Sequence, residues 1–118
     1  MMPVLKKHDG TVVATKVEFA DTLFRQMKGL MFRRSIPKDY AMIFDVRRER
    51  YVDIHMMFVK FPLDVVYLNR DRRIIDIKPA LKPWVGFALP KSPAQYVIEL
   101  PAGSVERAAL KIGETLSW

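Results

Sequence analysis

The chain has 118 residues, of which half are apolar and 28% are charged, a balance typical of a folded domain. Its 20 lysines and arginines outnumber its 13 acidic residues, and the resulting net charge of +7 favours anionic partners. The absence of cysteine excludes disulfides, thiolate metal sites and cysteine nucleophiles. We therefore expect one compact domain over residues 1–118.

The first residues, MMPVLKKHDG, lack the apolar core of a secretory signal. No apolar run in the chain approaches the ~20 residues that a membrane-spanning helix needs. We therefore expect a cytoplasmic protein without a membrane partner.

The first predicted elements are a hairpin and a helix. Asp9-Gly10 is a hairpin-turn signal between Val4–Leu5 and the alternating run Val12–Phe19. Apolar residues at helical spacing then predict about two turns of helix from Thr22, with Asp21 as its N-cap.

Two strands are predicted in the middle of the chain. Tyr40–Val46 is an apolar strand, which the charged segment Arg47–Arg50 closes as a turn. A proline-containing loop precedes this strand. Tyr51–Phe58 is predicted to be the next strand and to pair with Tyr40–Val46. Its alternation predicts four core residues, which are Val52, Ile54, Met56 and Phe58.

A second hairpin and a long loop follow. Asp64–Asn69 and Arg73–Lys78 are predicted to pair around a turn at Arg70–Arg72, with inward-facing isoleucines at 75 and 77. Pro79–Pro93 contains four prolines and two exposed aromatic residues, Trp84 and Phe87, and is predicted to be an ordered loop.

The last elements complete the predicted sheet. Ala94–Leu100 alternates as a strand, and Ser104 caps a short helix at Val105–Lys111. Thr115–Trp118 closes the sheet. The predicted class is α+β and mainly antiparallel, with a small sheet that curls into a barrel or a sandwich and carries one or two short helices.

One group of residues is a candidate ligand-binding cleft. Arg33, His55, Lys60 and Asp64 can come together if the predicted strands pair, with the loop at 79–93 as a cover. Asp64 is predicted to be partly buried and to accept backbone amides or to pair with Arg33. His55 lies near Asp53, so an imidazole oriented by a carboxylate is an alternative. The histidine spacing predicts no metal site, and we expect no cofactor.

A second group is a candidate anion-binding rim, because basic residues recur at two predicted hairpin tips. Its members are Arg47, Arg48, Arg72 and Arg73. Such a rim could contact nucleic acid, although the sequence lacks the alternating aromatic pattern of an RNA-binding sheet.

Four segments resemble the family called domain of unknown function 192. They are Ala20-Asp21-Thr22 with Gly29–Arg33, Met42-Ile43-Phe44, His55–Asp64 and Tyr96–Gly103. The resemblance implies a compact β-rich fold with one or two short helices, and it implies no established activity. The chain departs from the family's usual FWMKNT segment, because Ile54-His55 replaces the aromatic pair and Met57-Phe58-Val59 replaces the polar trio. This apolar version resembles archaeal members.

These observations leave three functional hypotheses. The first is a small non-enzymatic binding or accessory domain with an anion-tolerant cleft for an anionic small molecule. The second is an acid–base enzyme of hydrolase type, which would use His55 with Asp53 or Asp64. The third is nucleic-acid binding through the basic hairpin tips.

Overall fold

The computed structural model describes residues 3–20 and 30–118. Within those ranges it has ten strands and one short helix. The strands are β1 (Leu5–Lys7), β2 (Val12–Ala14), β3 (Lys16–Ala20), β4 (Tyr40–Arg50), β5 (Ile54–His55), β6 (Leu63–Leu68), β7 (Ile74–Leu81), β8 (Phe87–Ala88), β9 (Ala94–Pro101) and β10 (Leu116–Ser117), and the helix is α1 (Ser104–Arg107).

A five-stranded sheet forms the centre of the molecule, in the order β3-β4-β9-β6-β7. All its neighbouring strands are antiparallel except β3 and β4, which run parallel. These five strands therefore form a mixed, mainly antiparallel sheet whose edges are β3 and β7, and the described strands do not close into a barrel. The α+β prediction is confirmed.

Both faces of this sheet are buried, as the residues of β4 illustrate. Tyr40, Met42 and Phe44 pack into one apolar cluster, whereas Ala41 and Ile43 pack into a second cluster on the opposite face. A strand that is covered on both faces reads as a continuous apolar run, which is the pattern that the sequence shows at this position. The central sheet thus lies between two cores.

The predicted opening hairpin is confirmed, although its second strand is shorter than expected. β1 pairs antiparallel with β2, and Gly10 in the turn has a φ of 89°, a conformation that favours glycine. β1 also pairs with β10, which makes a small sheet against the second cluster. The predicted helix from Thr22 lies outside the described residues, except for Leu30, which is buried.

The predicted turn at Arg47–Arg50 is wrong, because β4 continues through Arg50. Asp45 lies opposite Tyr96 on β9 and Arg50 lies opposite Ala94, so residues 46–49 form a bulge opposite residue 95 alone. The strand predicted at Tyr51–Phe58 is also wrong in extent and partner: only Ile54–His55 is a strand, and it pairs with β8. Its burial was predicted better, since Phe58 is the one exposed member of the four expected core residues.

The segment predicted as a loop at Pro79–Pro93 contains regular structure. β7 extends through Leu81, and β8 pairs with β5 to form a two-stranded ribbon. The ribbon packs against the chain at Gly86, whose amide donates to the Lys82 carbonyl while its own carbonyl accepts from Met56. A Cβ atom at this glycine would lie 2.6 Å from the Lys82 oxygen and 2.8 Å from the Met56 Cγ atom.

Gly86→Ala is therefore expected to lower the free energy of unfolding by about 1 to 3 kcal/mol, because backbone must move to admit the methyl group. Equilibrium denaturation in urea, followed by far-ultraviolet circular dichroism, measures this change. A loss below about 0.5 kcal/mol, the range of an ordinary surface substitution, would show that the turn is not closely packed.

Candidate functional site

Asp64 is a structural residue in this fold. Its side chain is buried, with 1% of its surface exposed. One carboxylate oxygen accepts a hydrogen bond from the Ala80 amide at 2.8 Å, and the other accepts from Gly103 at 3.0 Å and Val105 at 2.9 Å. Both oxygens are thus used to hold β7 and the start of α1 against β6.

This arrangement corrects the predicted helix cap. The N-cap residue of α1 is Gly103, which makes no side-chain hydrogen bond, and the Ser104 hydroxyl donates instead to the Pro101 carbonyl at 2.7 Å. The helix is also shorter than predicted and ends at Arg107. The carboxylate of Asp64, which is distant in sequence, accepts hydrogen bonds from the free amides at the start of the helix, the role that was predicted for Ser104.

The two permanently charged basic residues of the predicted cleft, Arg33 and Lys60, do not pair with Asp64. Arg33 forms an ion pair with Glu18, with 3.0 Å between Nη2 and Oε2, and its guanidinium lies 5.8 Å from the centre of the Tyr40 ring. This hydrogen-bonded carboxylate raises the pKa of Arg33 above its ordinary value. Lys60 is exposed. Of the two predicted alternatives for Asp64, acceptance of backbone amides is confirmed, and Arg33 pairs with Glu18 instead.

His55 lies beside a small cavity, together with Asp53 and Glu99. The cavity has a volume of about 20 Å³, which is room for roughly one water molecule. The Nδ1 atom of His55 is buried, and no residue of the described ranges hydrogen-bonds to it. The arrangement can accommodate a water against the imidazole, but it has no space for a substrate.

A larger concavity of about 560 Å³ opens where β4 and β9 approach the end of the chain. We call it the arginine groove. Strands β3, β4 and β9, the turn between β6 and β7, and the residue after β10 all contribute to its walls. Among the described residues, its lining consists of Phe19, Ala20, Ile43, Asp45, Arg47, Arg72, Gln95, Tyr96 and Trp118.

Arg72 is held against two aromatic rings in the groove. Its guanidinium carbon lies 3.9 Å from the centre of a Trp118 ring and 5.5 Å from the centre of the Tyr96 ring. These two rings meet edge to face at 5.1 Å, and Arg72 Nη1 donates to the Trp118 main-chain oxygen at 3.4 Å. The contacts fix the direction of a permanent positive charge, because guanidinium groups stack favourably on aromatic faces.

The other polar groups of the groove are joined by hydrogen bonds. The Asp45 carboxylate accepts from the Arg47 amide at 2.7 Å and from the Gln95 side-chain amide at 3.3 Å, and that amide also donates to the Tyr96 hydroxyl at 3.3 Å. Arg47 has a left-handed φ of 70°, which the bulge in β4 accommodates. Among the described side chains of the lining, two arginines outnumber one carboxylate, so the groove carries a net positive charge.

The structure divides the predicted anion-binding rim. Arg47 and Arg72 line the groove, whereas Arg48 is exposed outside its lining and Arg73 donates to the Gly113 carbonyl at 3.1 Å. The two basic segments do lie at one end of the sheet, since the Glu49 carboxylate accepts from the Arg70 amide at 3.0 Å. Only Arg70–Arg72 is a hairpin tip, because Arg47–Arg50 belongs to the strand end.

Sequence patterns do not identify the non-basic residues of the groove. The alternation around Tyr96 and Trp118 predicts only strands of the sheet, although Tyr96 lies within a segment that carries the family resemblance. The signal that could have indicated the groove is the combination of Asp45, Tyr96 and Trp118 on predicted strands with the two arginine clusters at 47–50 and 70–73. Nothing local in the sequence indicates that residues 45, 72, 96 and 118 meet.

The described ranges contain no group of three or more His, Cys, Asp and Glu residues arranged to hold a metal ion. In the same ranges, no helix combines the length and the apolar character that crossing a membrane requires.

Known proteins resemble this chain over nearly its whole length. A UPF0127 protein of Pyrococcus furiosus is 35% identical over 111 residues, which cover 92% of this chain and 91% of that protein. A UPF0127 protein of Thermococcus sibiricus is 34% identical over 98% of this chain and 73% of its own length. The crystal structure of a Sinorhizobium meliloti protein, described as a candidate transcription regulator, has a TM-score of 0.85 and 30% identity, and the match covers 97% of this chain and 89% of that one.

The family described as "Uncharacterized ACR", which is domain of unknown function 192, matches residues 4–118. This range contains the arginine groove, the Asp64 hydrogen bonds and the His55 cavity. The resemblance of the four sequence segments is thereby confirmed, and its archaeal character agrees with the Pyrococcus and Thermococcus relatives. The chain belongs to the family called domain of unknown function 192.

Proposed function

We propose that the protein is a small binding domain of the cytoplasm, and that the arginine groove takes an anionic small molecule. The observation that carries this proposal is the fixed position of Arg72 against the Trp118 and Tyr96 rings, at the wall of a concavity large enough for a metabolite. Arg47 supplies a second positive charge. A carboxylate or phosphate group in the groove would accept charge-assisted hydrogen bonds from a guanidinium group.

The groove supports binding better than the cleft that the sequence suggested. Asp64 is occupied by three backbone amides, and Arg33 is paired with Glu18, so neither offers a free charge to a ligand. The cavity beside His55 has room for about one water. The description of the Sinorhizobium relative as a candidate transcription regulator is compatible with a domain that senses a small molecule.

A thermal-shift experiment tests this proposal. The purified chain would be melted with phosphate, citrate and adenosine monophosphate as anionic probes, against sodium chloride at equal ionic strength. A probe at 100 times its dissociation constant stabilises the folded state by about 2.7 kcal/mol. For a domain of this size, that corresponds to a rise in melting temperature of roughly 10 °C.

Three variants locate the binding site. Arg47→Gln and Arg72→Gln are expected to remove most of the probe-induced shift, because each removes a charge from the groove lining. Arg48→Gln removes the same charge one residue outside the lining and is expected to keep the shift. If Arg48→Gln lost as much as Arg72→Gln, general surface charge would explain the binding and the groove proposal would fail.

A further inference from the structure

A second surface, distinct in its residues from the arginine groove, exposes aromatic rings. Phe32, Trp84 and Phe87 are 63%, 50% and 57% exposed, and Phe58 is 36% exposed. Phe32 and Phe58 stack with 5.1 Å between their ring centres, and Phe58 meets Trp84 edge to face at 5.3 Å. We call these four residues the aromatic surface. Phe32, Phe58 and Trp84 contact one another while remaining open to solvent.

The backbone of this surface is held in an unfavourable conformation. Phe32, Phe58 and Trp84 have positive φ angles of 67°, 62° and 67°, although residues with large side chains rarely adopt them. The Phe32 amide donates to the Phe58 carbonyl at 2.9 Å, and the Trp84 amide donates to the Met56 carbonyl at 3.0 Å. The rest of the fold must therefore compensate for the unfavourable backbone conformation of three residues whose rings remain exposed. Backbone strain of this kind is concentrated at functional sites.

The segments that carry the aromatic surface are strongly basic. Residues 30–34, 56–62 and 82–91 contain five lysines and arginines and no aspartate or glutamate. Arg33 pairs with Glu18. The other four are exposed, namely Arg34, Lys60, Lys82 and Lys91. The surface is therefore complementary to a partner that combines flat apolar groups with negative charge.

We propose that the aromatic surface binds single-stranded nucleic acid. Unpaired bases would stack on the exposed rings, and the phosphates between them would pair with Lys60 and Lys82, which flank Phe58 and Trp84 in the chain. A second copy of this chain fits poorly, because it would bring the same positive charges to the contact. A duplex fits poorly as well, because its bases are already stacked on one another.

Fluorescence anisotropy tests the proposal, with the intact chain and a fluorescein-labelled 12-nucleotide oligothymidine as the probe. We expect saturable binding, and at least tenfold weaker binding to a duplex of equal length. Two phosphate contacts on a single strand predict roughly sevenfold weaker binding when salt rises from about 50 to 200 mM.

Substitutions then assign the binding to the rings. Phe32→Asn and Trp84→Asn are each expected to weaken binding roughly tenfold, because a stacked base loses its platform. Asparagine tolerates the left-handed conformation, which offsets part of the ring contact that each substitution removes, so the melting temperature is expected to change little. Ile112→Asn is the matched control, since Ile112 is an exposed apolar residue outside this surface, and it is expected to leave the affinity unchanged.

A pair of double variants tests the phosphates. Lys60→Gln with Lys82→Gln is expected to weaken binding and to flatten its salt dependence, whereas Lys6→Gln with Lys111→Gln removes two exposed charges elsewhere and is expected to do neither. Equal affinity of the wild-type chain and Trp84→Asn would overturn the proposal. So would binding to anionic vesicles or to an acidic peptide in place of the oligonucleotide, with the same loss in Trp84→Asn.

Discussion

Asp64→Ala is expected to lower the free energy of unfolding by about 3 to 5 kcal/mol, one of the largest losses of any single substitution in this fold. The three amides that donate to its carboxylate, from Ala80, Gly103 and Val105, would lose their acceptor. A buried backbone donor without a partner costs about 1 to 3 kcal/mol. The side chain also fills space, and its removal leaves a cavity.

Asp64→Asn is the matched control for this substitution. Its side chain has the same shape, and its carbonyl oxygen can still accept from Gly103 and Val105, but its amide group would face the Ala80 donor. We therefore expect a loss smaller than that of alanine. Urea denaturation measures both variants. A loss below about 1 kcal/mol in Asp64→Ala would show that this carboxylate does not stabilise the fold. The ligand-binding role that the sequence suggested for Asp64 would then be the better explanation.

Alkaline pH is expected to destabilise the protein strongly, because two tyrosines are buried. Burial raises the pKa of Tyr67 well above its ordinary value, and the nearby carboxylates of Glu99, Asp76 and Asp53 add to the effect. Burial, followed by the charge of Glu18, likewise raises the pKa of Tyr40. The Tyr67 hydroxyl also donates a hydrogen bond to the Ala88 carbonyl at 3.3 Å, and this bond requires the protonated form of the tyrosine.

The direction of the pH dependence follows from these raised values. Below pH ~10 the tyrosines are protonated in both states, so their contribution to stability is complete. Above that pH the unfolded chain releases the two protons while the folded chain retains them, and stability falls as pH rises. Each tyrosine contributes a slope of about 1.4 kcal/mol per pH unit, up to the folded-state pKa.

Tyr67→Phe isolates one of the two contributions. It removes a hydrogen bond and is therefore expected to cost about 1 kcal/mol at neutral pH. Between pH ~10 and 12, however, its stability should fall less steeply than that of the wild-type chain, by about 1.4 kcal/mol per pH unit. Urea denaturation at several pH values measures the slopes. The same slope in both proteins would contradict the assignment to Tyr67.

Local sequence signals predicted the elements that local interactions form. The Asp9-Gly10 turn, the alternating strand from Ala94 and the hairpin around Arg70–Arg72 all appear in the structure. Each depends on turn chemistry or on side-chain alternation within a few residues. The burial of Asp64 was also predictable, because it lies in an apolar strand after a proline.

The errors arose where distant segments decide the local structure. Arg47–Arg50 has the composition of a turn, but pairing with β9 and a bulge keep it in the strand. Ser104 has the right position for a cap, but Asp64 reaches the same amides from another strand. The arginine groove needs residues from the whole length of the chain. Sequence patterns report propensity and alternation, whereas such contacts depend on the register of the complete sheet.

The most direct test of the account is whether an anionic ligand occupies the arginine groove. A ¹⁵N-labelled sample would be titrated with the probe that gives the largest thermal shift, while nuclear magnetic resonance follows the Trp118 indole N–H and the Arg47 and Arg72 side chains. We expect these signals to move together along a single saturation curve. Movement confined to Arg33, His55 and Lys60, with the Trp118 and Arg72 signals unchanged, would contradict the account.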